Sequence, residues 1–482
     1  HGGGSSNGYL SPPTPPPASS RLHGYPHSAT HSTQQWCTLM LLVSAYRGYA
    51  VARALSLGCG FMSSVPRSVA AAATTAAWSA SSVSEHVFLD HDGGNDDFVA
   101  LVYLLKHEPR FELLGVSVTP ANSWEKAGTR ASRKILRMFS KKHVSPSAAG
   151  PIPVAESTVP GVNAFPDGWR YDACKVNLLP QLNAFETEEQ ARRLEEGEDD
   201  PSNGMSGKML LAQALLGSER PVTVIATGPL TNLAWALDNY PEVSSKIDKV
   251  LIMGGAIDVL GNVFAEDVEG HDGTAEWNIF WDPRAAKRVW DSDLKLVLTP
   301  LDATDEVPVT KEMLLRLGRQ NHCASSTLVG TIWALAGAHL LETHSRPFFA
   351  WDLLTVAQLV HPELFTTSEV ECDVVVEGTS QGRIVRKEAV AEVVAIFEKM
   401  VPSLQNSSVC MTFWRQGNNQ PAHGAVTDSD LHAVFFLSLQ HPPGGDGARG
   451  GGRTVSVIRA RSAKEVMDVI LDDLCSTCGG NA

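Results

Sequence analysis

The sequence predicts an α/β fold, with a mostly parallel, open, twisted sheet carrying helices on both faces. Three observations lead there. Short apolar runs recur along the chain, stretches with helical spacing follow them, and polar or acidic residues cluster just past the runs. Strands alternating with helices pair in parallel, because each helix returns the chain to the same end of the sheet.

Val87-Phe88-Leu89 opens the pattern, followed by helical spacing from Phe98 to Lys106. Leu113 to Val118 is the next strand and Lys126 to Phe139 the next helix. Val222 to Ala226 then runs into a Gly-Pro turn and a helix around Leu230 to Leu237. Val250 to Met253 ends in Gly254-Gly255, and Leu294 to Leu298 is a further strand. Ligands of such sheets bind beyond the carboxyl ends of the strands, so the chemistry is expected just after each strand.

The chain has 482 residues, 43% of them hydrophobic, enough for a large core. At about 150 residues per domain, length alone would allow about three domains. Texture divides it differently. Residues 1–84 contain no Asp or Glu, and carry Arg21, Arg47, Arg53, Arg67 and the Pro-rich run Pro12 to Pro17. An organellar transit peptide and a disordered extension both fit such a composition, leaving cytoplasmic and organellar locations open. The apolar stretch Cys37 to Ala45 is too short to span a bilayer. Residues 85–475 are expected to form the catalytic domain and 476–482 a tail. Within that domain, 186–207 reads as an acidic, solvated inserted loop and 440–453 as a flexible linker.

A net charge of −14 argues against a polyanionic partner such as DNA or RNA and favours a small substrate. The eight cysteines are too sparse for a disulfide scaffold. Cys475 and Cys478 form one close pair, read as part of a solvated tail in preference to a redox or zinc site.

The strongest feature is Asp90-His91-Asp92-Gly93-Gly94-Asn95-Asp96-Asp97, with four carboxylates and two glycines between an apolar strand and a helix. So many like charges repel one another unless a cation joins them. Hard oxygen ligands at this density suit Ca²⁺ or Mg²⁺. Asp96 and Asp97 could simply favour a helix N-terminus. Asp90 and Asp92, leaving a buried strand directly, are not explained that way.

This segment resembles the N-terminal calcium motif of the nucleoside hydrolase family, an Asp-x-Asp-x-x-x-Asp-Asp pattern after the first strand. Four more segments agree in the family's order: Ala226 to Asn232, Ile252 to Gly255, Gly273 to Asn278, and Ala350-Trp351-Asp352. The resemblance covers about residues 85–400 and resumes at 453–475. It implies a Ca²⁺ held by Asp92, Asp97, the backbone carbonyl of Thr227, and Asp352. It further implies hydrolysis of the N-glycosidic bond of ribonucleosides to free base and ribose, as in nucleoside catabolism and purine salvage. The ion would activate the attacking water, with Asp92 as catalytic base. Asp96, Asn278 and Asp352 would hold the 2′- and 3′-hydroxyls, and Asn262 and Glu276 the 5′-hydroxyl. Such enzymes are expected to be homo-oligomers, dimers or tetramers, with no nucleic-acid or membrane partner.

Many pyrimidine-accepting members carry a His just before the last calcium Asp; this chain has Trp351 there. It is thereby similar to the purine-preferring, inosine-adenosine-guanosine branch, which stacks the base between two tryptophans. Trp169, in Phe165-Pro166-Asp167-Gly168-Trp169-Arg170, would be the second. Two residues depart from that branch: Gly94 where it has Asn, and Asn122 where it has Asp. Other branches carry Asn at the latter position, in contact with ribose. Pyrimidine or nonspecific hydrolysis is the alternative within the family. Outside it stand a haloacid-dehalogenase-like phosphatase, a transporter-like periplasmic role and a non-catalytic nucleoside-binding module.

Overall fold

The computed structural model describes residues 84–387 apart from 109, 125, 141–149, 159, 160, 162, 164 and 343–346, together with 410–414, 421–425 and 453–476. The chain divides into two units, His1–Ala77 and Trp78–Ala482, and the description concerns the second. Residues 1–83, residues 440–452 of the expected linker 440–453, and Cys478 lie outside the described residues, while Arg453, expected in that linker, begins the strand Arg453–Ala460.

Nine strands form one sheet: β1 Glu85–His91, β2 Phe111–Val118, β3 Val154–Glu156, β4 Val222–Ala226, β5 Ile247–Met253, β6 Leu296–Thr299, β7 Phe365–Val374, β8 Ile384–Arg386 and, after a separate antiparallel hairpin of β9 Cys410–Trp414 and β10 Pro421–Ala425, β11 Arg453–Ala460. The order is β3-β2-β1-β4-β5-β6-β11-β7-β8. Pairing is parallel from β3 through to β11, and antiparallel from β11 to β7 and β8. The mostly parallel sheet expected from the sequence is therefore present, with an antiparallel edge.

Side chains alternate along each strand, and this divides the core in two. Val87, Leu89, Ile225, Leu251 and Val297 pack on one face against the helices Asn95–Lys106, Ala127–Phe139, Ala324–Glu342, Trp351–Val360 and Ala463–Cys475. Phe88, Val224, Val250, Ile252, Leu296 and Leu298 pack on the other against Gly207–Gly217, Thr231–Asn239 and Pro283–Trp290. Buried on both faces, these strands read as near-continuous apolar runs.

The chain leaves β1 toward β2 and β3, then returns to β1's other side as β4. The crevice beyond the carboxyl ends of β1 and β4 is the topological switch point where α/β sheets bind ligands. The acidic motif ends β1, and Thr227 follows β4.

Two readings need correction. Residues 186–207 are not a plain loop, since they contain the helix Glu188–Glu196. The Thr187 side chain accepts from Gln190 N at its start, Glu188 and Glu189 occupy the first turn, and left-handed Gly197 ends it. Surface pairs from Arg192 to Glu189 and Glu198, and from Arg193 to Asp199, line it. An acidic composition concealed these helix signals. Cys475, read as solvated tail, is the last residue of the helix Ala463–Cys475 and forms a disulfide with Cys323, ahead of the helix Ala324–Glu342. Val466, Met467, Ile470, Leu471 and Leu474 bury that helix, which brings the two sulfurs together.

Candidate active site

At the end of β1 the backbone must turn sharply to start the helix Asn95–Lys106. Gly93 does so at φ 86°, and a Cβ there would meet Ser123 Oγ at 2.5 Å. Asp97 then folds back under the loop. Its Oδ2 accepts from the backbone N–H groups of Gly94 at 2.8 Å, Gly93 at 2.9 Å and Asp92 at 3.3 Å, while Oδ1 accepts from Thr227 Oγ1 at 2.6 Å. Burial opposes its charge, but His91 and these hydrogen bonds prevail and hold its pKa at about 2.

Asp90 braces the strand end. Its Oδ1 accepts from Ser117 Oγ at 2.6 Å and Asn232 Nδ2 at 2.9 Å, while burial pushes its pKa up to about 6. His91 sits between Gly93 N, 3.1 Å from its Nδ1, and Ser132 Oγ, 3.0 Å from its Nε2. No role for Ser117, Ser132 or Asn232 was expected from the sequence. Asn232 lies inside the Ala226 to Asn232 motif, which is the one signal that could have found it.

The carboxylate oxygens of Asp96, Asp97 and Asp352 come within 4.8 Å of one another. Asp352 arrives on the first turn of the helix Trp351–Val360, which packs along Asn95–Lys106. Burial, then the charges of Asp97 and Asp96, push the Asp92 carboxyl well up. Asp352 is raised by burial and by Asp96, Asp97 and Asp92, and burial with Asp97 takes Asp96 up to about 7. Four crowded hard carboxylates, three of them pushed up and Asp97 held ionised, form a donor set that fits a divalent cation. The Thr227 carbonyl accepts Asn278 Nδ2 at 3.0 Å, leaving its second lone pair for a ligand.

The residues expected at ribose surround this cluster. Glu276 caps the helix Trp277–Trp281, with Oε1 accepting from Asn278 N at 2.9 Å and Oε2 from Gly255 N at 3.0 Å; burial lifts its pKa to about 7. The Asn278 amide donates to Thr227 O and to Met253 O at 3.2 Å, so its Oδ1 is the atom left to accept a hydroxyl. Asn262 Oδ1 accepts Trp277 N at 3.1 Å. Asn122 Oδ1 is buried without a hydrogen-bond partner, and its amide nitrogen lies 2.7 Å from where a Cβ on residue 94 would stand. A side chain at position 94 would therefore meet Asn122.

On the base side, Trp169 opens the short 3-10 turn Trp169–Tyr171 and is 40% exposed. Its ring lies edge-on to Trp277 at 5.5 Å and to Phe165 at 6.5 Å. Trp351 packs instead against Phe348 at 4.8 Å and Phe349 at 5.7 Å, with its Nε1 buried and unpartnered. Among the described residues no ring contact joins the two tryptophans. Asn95 Nδ2 donates to Asp172 Oδ2 at 2.7 Å and ties the Trp169 loop to the helix Asn95–Lys106, a link the sequence did not signal.

Residues 87–435 match the family model described as inosine-uridine preferring nucleoside hydrolase. The pyrimidine-specific ribonucleoside hydrolase RihA of Escherichia coli O81 (strain ED1a) is 31% identical over 290 residues, 59% of this chain and 82% of that protein. RihA of Klebsiella pneumoniae (strain 342) is 30% identical over 305 residues, 61% and 85% of the two chains. The crystal structure of an inosine-uridine preferring nucleoside hydrolase from Bacillus anthracis superposes with a TM-score of 0.58 at 28% identity, covering 81% of this chain and 99% of that one. A plant nucleoside hydrolase shares the fold, with a TM-score of 0.56 at 19% identity over 82% and 99% of the chains.

Proposed function

The chain belongs to the nucleoside hydrolase family, a family of metal-dependent hydrolases of N-glycosyl bonds, and we propose that it cleaves purine ribonucleosides to free base and ribose using Ca²⁺. The observation that carries this reading is the convergence of Asp92, Asp96, Asp97 and Asp352 at the switch point, with Trp351 directly before Asp352.

Asp92, Asp97, Asp352 and the Thr227 carbonyl would hold the ion. Once bound, it supplies charge that stabilises the cluster and acidifies water at the ribose carbon. Asp92 takes the proton of the attacking water as the bond from the anomeric carbon to the base nitrogen breaks. Positive charge develops on the ribose ring, as in other glycoside hydrolysis, and the surrounding carboxylates stabilise it. Asp96, Asp352 and Asn278 Oδ1 accept from the ribose 2′- and 3′-hydroxyls, Asn122 contacts the sugar, and Asn262 and Glu276 meet the 5′-hydroxyl. Trp169 and Trp351 stack on the purine, which raises the basicity of its ring so that solvent protonates the leaving base.

The test is reducing-sugar release from inosine and uridine, with and without a chelator. Inosine should be cleaved faster, and chelation should abolish turnover until Ca²⁺ is restored. A second reading, pyrimidine preference, draws on the likeness to RihA; faster cleavage of uridine would establish it. The catalytic unit of this proposal is 85–475, so a chain starting at Ser84 should retain full turnover and melting temperature.

A further inference from the structure

The helices that bring Asp96, Asp97 and Asp352 together continue side by side to a second convergence at their other ends. His107 is the C-cap of Asn95–Lys106, and His361 is the C-cap of Trp351–Val360. Twelve residues at 1.5 Å each put this end about 18 Å from the carboxylates. The helix Ala463–Cys475 adds Asp473 from a third direction. One oxygen, Asp473 Oδ2, lies 2.7 Å from His361 Nε2 and 3.5 Å from His107 Nε2, and the three atoms are all within 4.8 Å of one another.

We propose that His107, His361 and Asp473 form a binding site for a first-row divalent metal of the Zn²⁺ type, separate from the catalytic cluster. Two imidazole nitrogens and one carboxylate oxygen suit such an ion, whereas Ca²⁺ and Mg²⁺ prefer oxygen alone. Ligand bonds of about 2.0–2.2 Å put donor atoms roughly 3.3–3.5 Å apart around a tetrahedral ion. The His107–Asp473 separation already fits, and the His361–Asp473 pair must open by less than about 1 Å. His107 Nε2 is buried with no hydrogen-bond partner and faces Asp473 Oδ2 at 3.5 Å. His361 Nδ1 is 3.1 Å from Glu363 Oε1, the outer carboxylate that commonly orients a metal-bound imidazole.

Nearby cations are held by other groups. Arg110 donates to Val360 O at 2.7 Å, and Lys106 to Ser476 O at 2.7 Å. A positive ion is also favoured at two helix C-termini. The three side chains are each 19–24% exposed. Occupied, the site would tie the last helix to both helices that carry the catalytic acids.

The experiment is a Zn²⁺ titration of the full chain in saturating Ca²⁺, read by calorimetry and by melting temperature. One equivalent should bind tightly and raise the melting temperature. His107→Gln and His361→Gln should each weaken binding about 10–100-fold. Losing a histidine can also harm folding, so two further variants are read. Tyr103→Phe removes a hydroxyl that donates to Asp473 Oδ2 at 2.8 Å and should preserve or tighten binding. Cys323→Ser/Cys475→Ser removes the described cluster of His322, Cys323 and Cys475 and should leave Zn²⁺ affinity unchanged. The proposal is overturned if wild type binds no Zn²⁺ under these conditions. It is overturned equally if the folded histidine variants bind like wild type, or if the cysteine variant alone loses the ion.

Discussion

The two sides of the active-site crevice are built differently. On the proposed sugar side two acids are firmly fastened: Asp97 takes three backbone N–H groups and a threonine hydroxyl, and Glu276 caps a helix while bonding Gly255. On the base side Trp169 is 40% exposed on a short turn, held by edge-on ring contacts and the Asn95–Asp172 link. The fixed wall can be exact about charge and hydroxyl geometry because its groups do not reorganise during the reaction. The looser wall contributes stacking area, which tolerates change. Under the proposed function, the chemistry of cleavage would belong to the first wall and the choice of base to the second.

The sharpest way to break this division is Asp92→Ala. It removes the proposed base and a metal ligand together, and turnover on every nucleoside should fall about 10³-fold or more. A variant that lost inosine cleavage but kept uridine cleavage would contradict a shared sugar-side chemistry.

Trp169→Ala and Trp351→Ala should act selectively. Stacking contributions of about 1–3 kcal/mol translate to roughly 5–150-fold, seen mainly in kcat on inosine. On a p-nitrophenyl riboside, whose leaving group needs no protonation, the same variants should lose much less. Equal losses on both substrates would show that the tryptophans only pack.

The Gly94–Asn122 contact tests how tightly the fixed wall is made. Gly94→Ala places a Cβ 2.7 Å from both Asn122 Nδ2 and Asp96 Oδ1 and should raise the KM for ribosides about tenfold. Asn122→Ala removes one of the two clashes. The double variant should therefore recover part of the loss, with a coupling of about 0.5–3 kcal/mol in a double-mutant cycle. Strict additivity would mean that the two departures are unrelated.

The smallest expected effect is in stability. Burial raises Asp96 to about 7, and Asp92 and Asp352 are raised as well. An acid raised on folding binds more protons in the folded state than in the unfolded one. Metal-free protein therefore loses stability as pH climbs from the ordinary carboxylate range near 4 through about 7. Asp97, held at about 2, works the other way, but its contribution is lost only as pH falls below about 4. The gain in melting temperature on adding Ca²⁺ should be larger at pH 8 than at pH 5. A gain that shrinks with rising pH would argue against a cation among these acids.

The fold was legible because strands buried on both faces are mostly apolar, and Val222–Ala226 carries that signal in five residues. The acidic cluster was legible because four acids within eight residues repel one another unless a cation joins them. What stayed hidden depends on long-range packing. Nothing local marks Ser117 or Ser132 as supports, nor pairs Asn95 with Asp172 across 77 positions. The helix Glu188–Glu196 is hard to read because it buries no residue, so its sequence lacks the apolar stripe by which helices are recognised. Cys323 and Cys475 stand 152 residues apart, and sequence spacing does not pair cysteines at such a distance.

The position of β11 has a consequence for how the molecule is made. It is the last strand of the described chain to be synthesised, yet it lies inside the sheet, parallel to β6 at Ser456↔Val297 and antiparallel to β7 from Arg453↔Cys372 to Ala460↔Phe365. Until residues 453–460 leave the ribosome, β6 ends in an open edge, and the β7–β8 ribbon has nothing to join. Unpaired strand edges recruit other chains, so the nascent protein passes through an aggregation-prone stage that ends when this one segment arrives. A ribosome stalled before residue 453 would release a chain whose sheet has a gap at its seventh position.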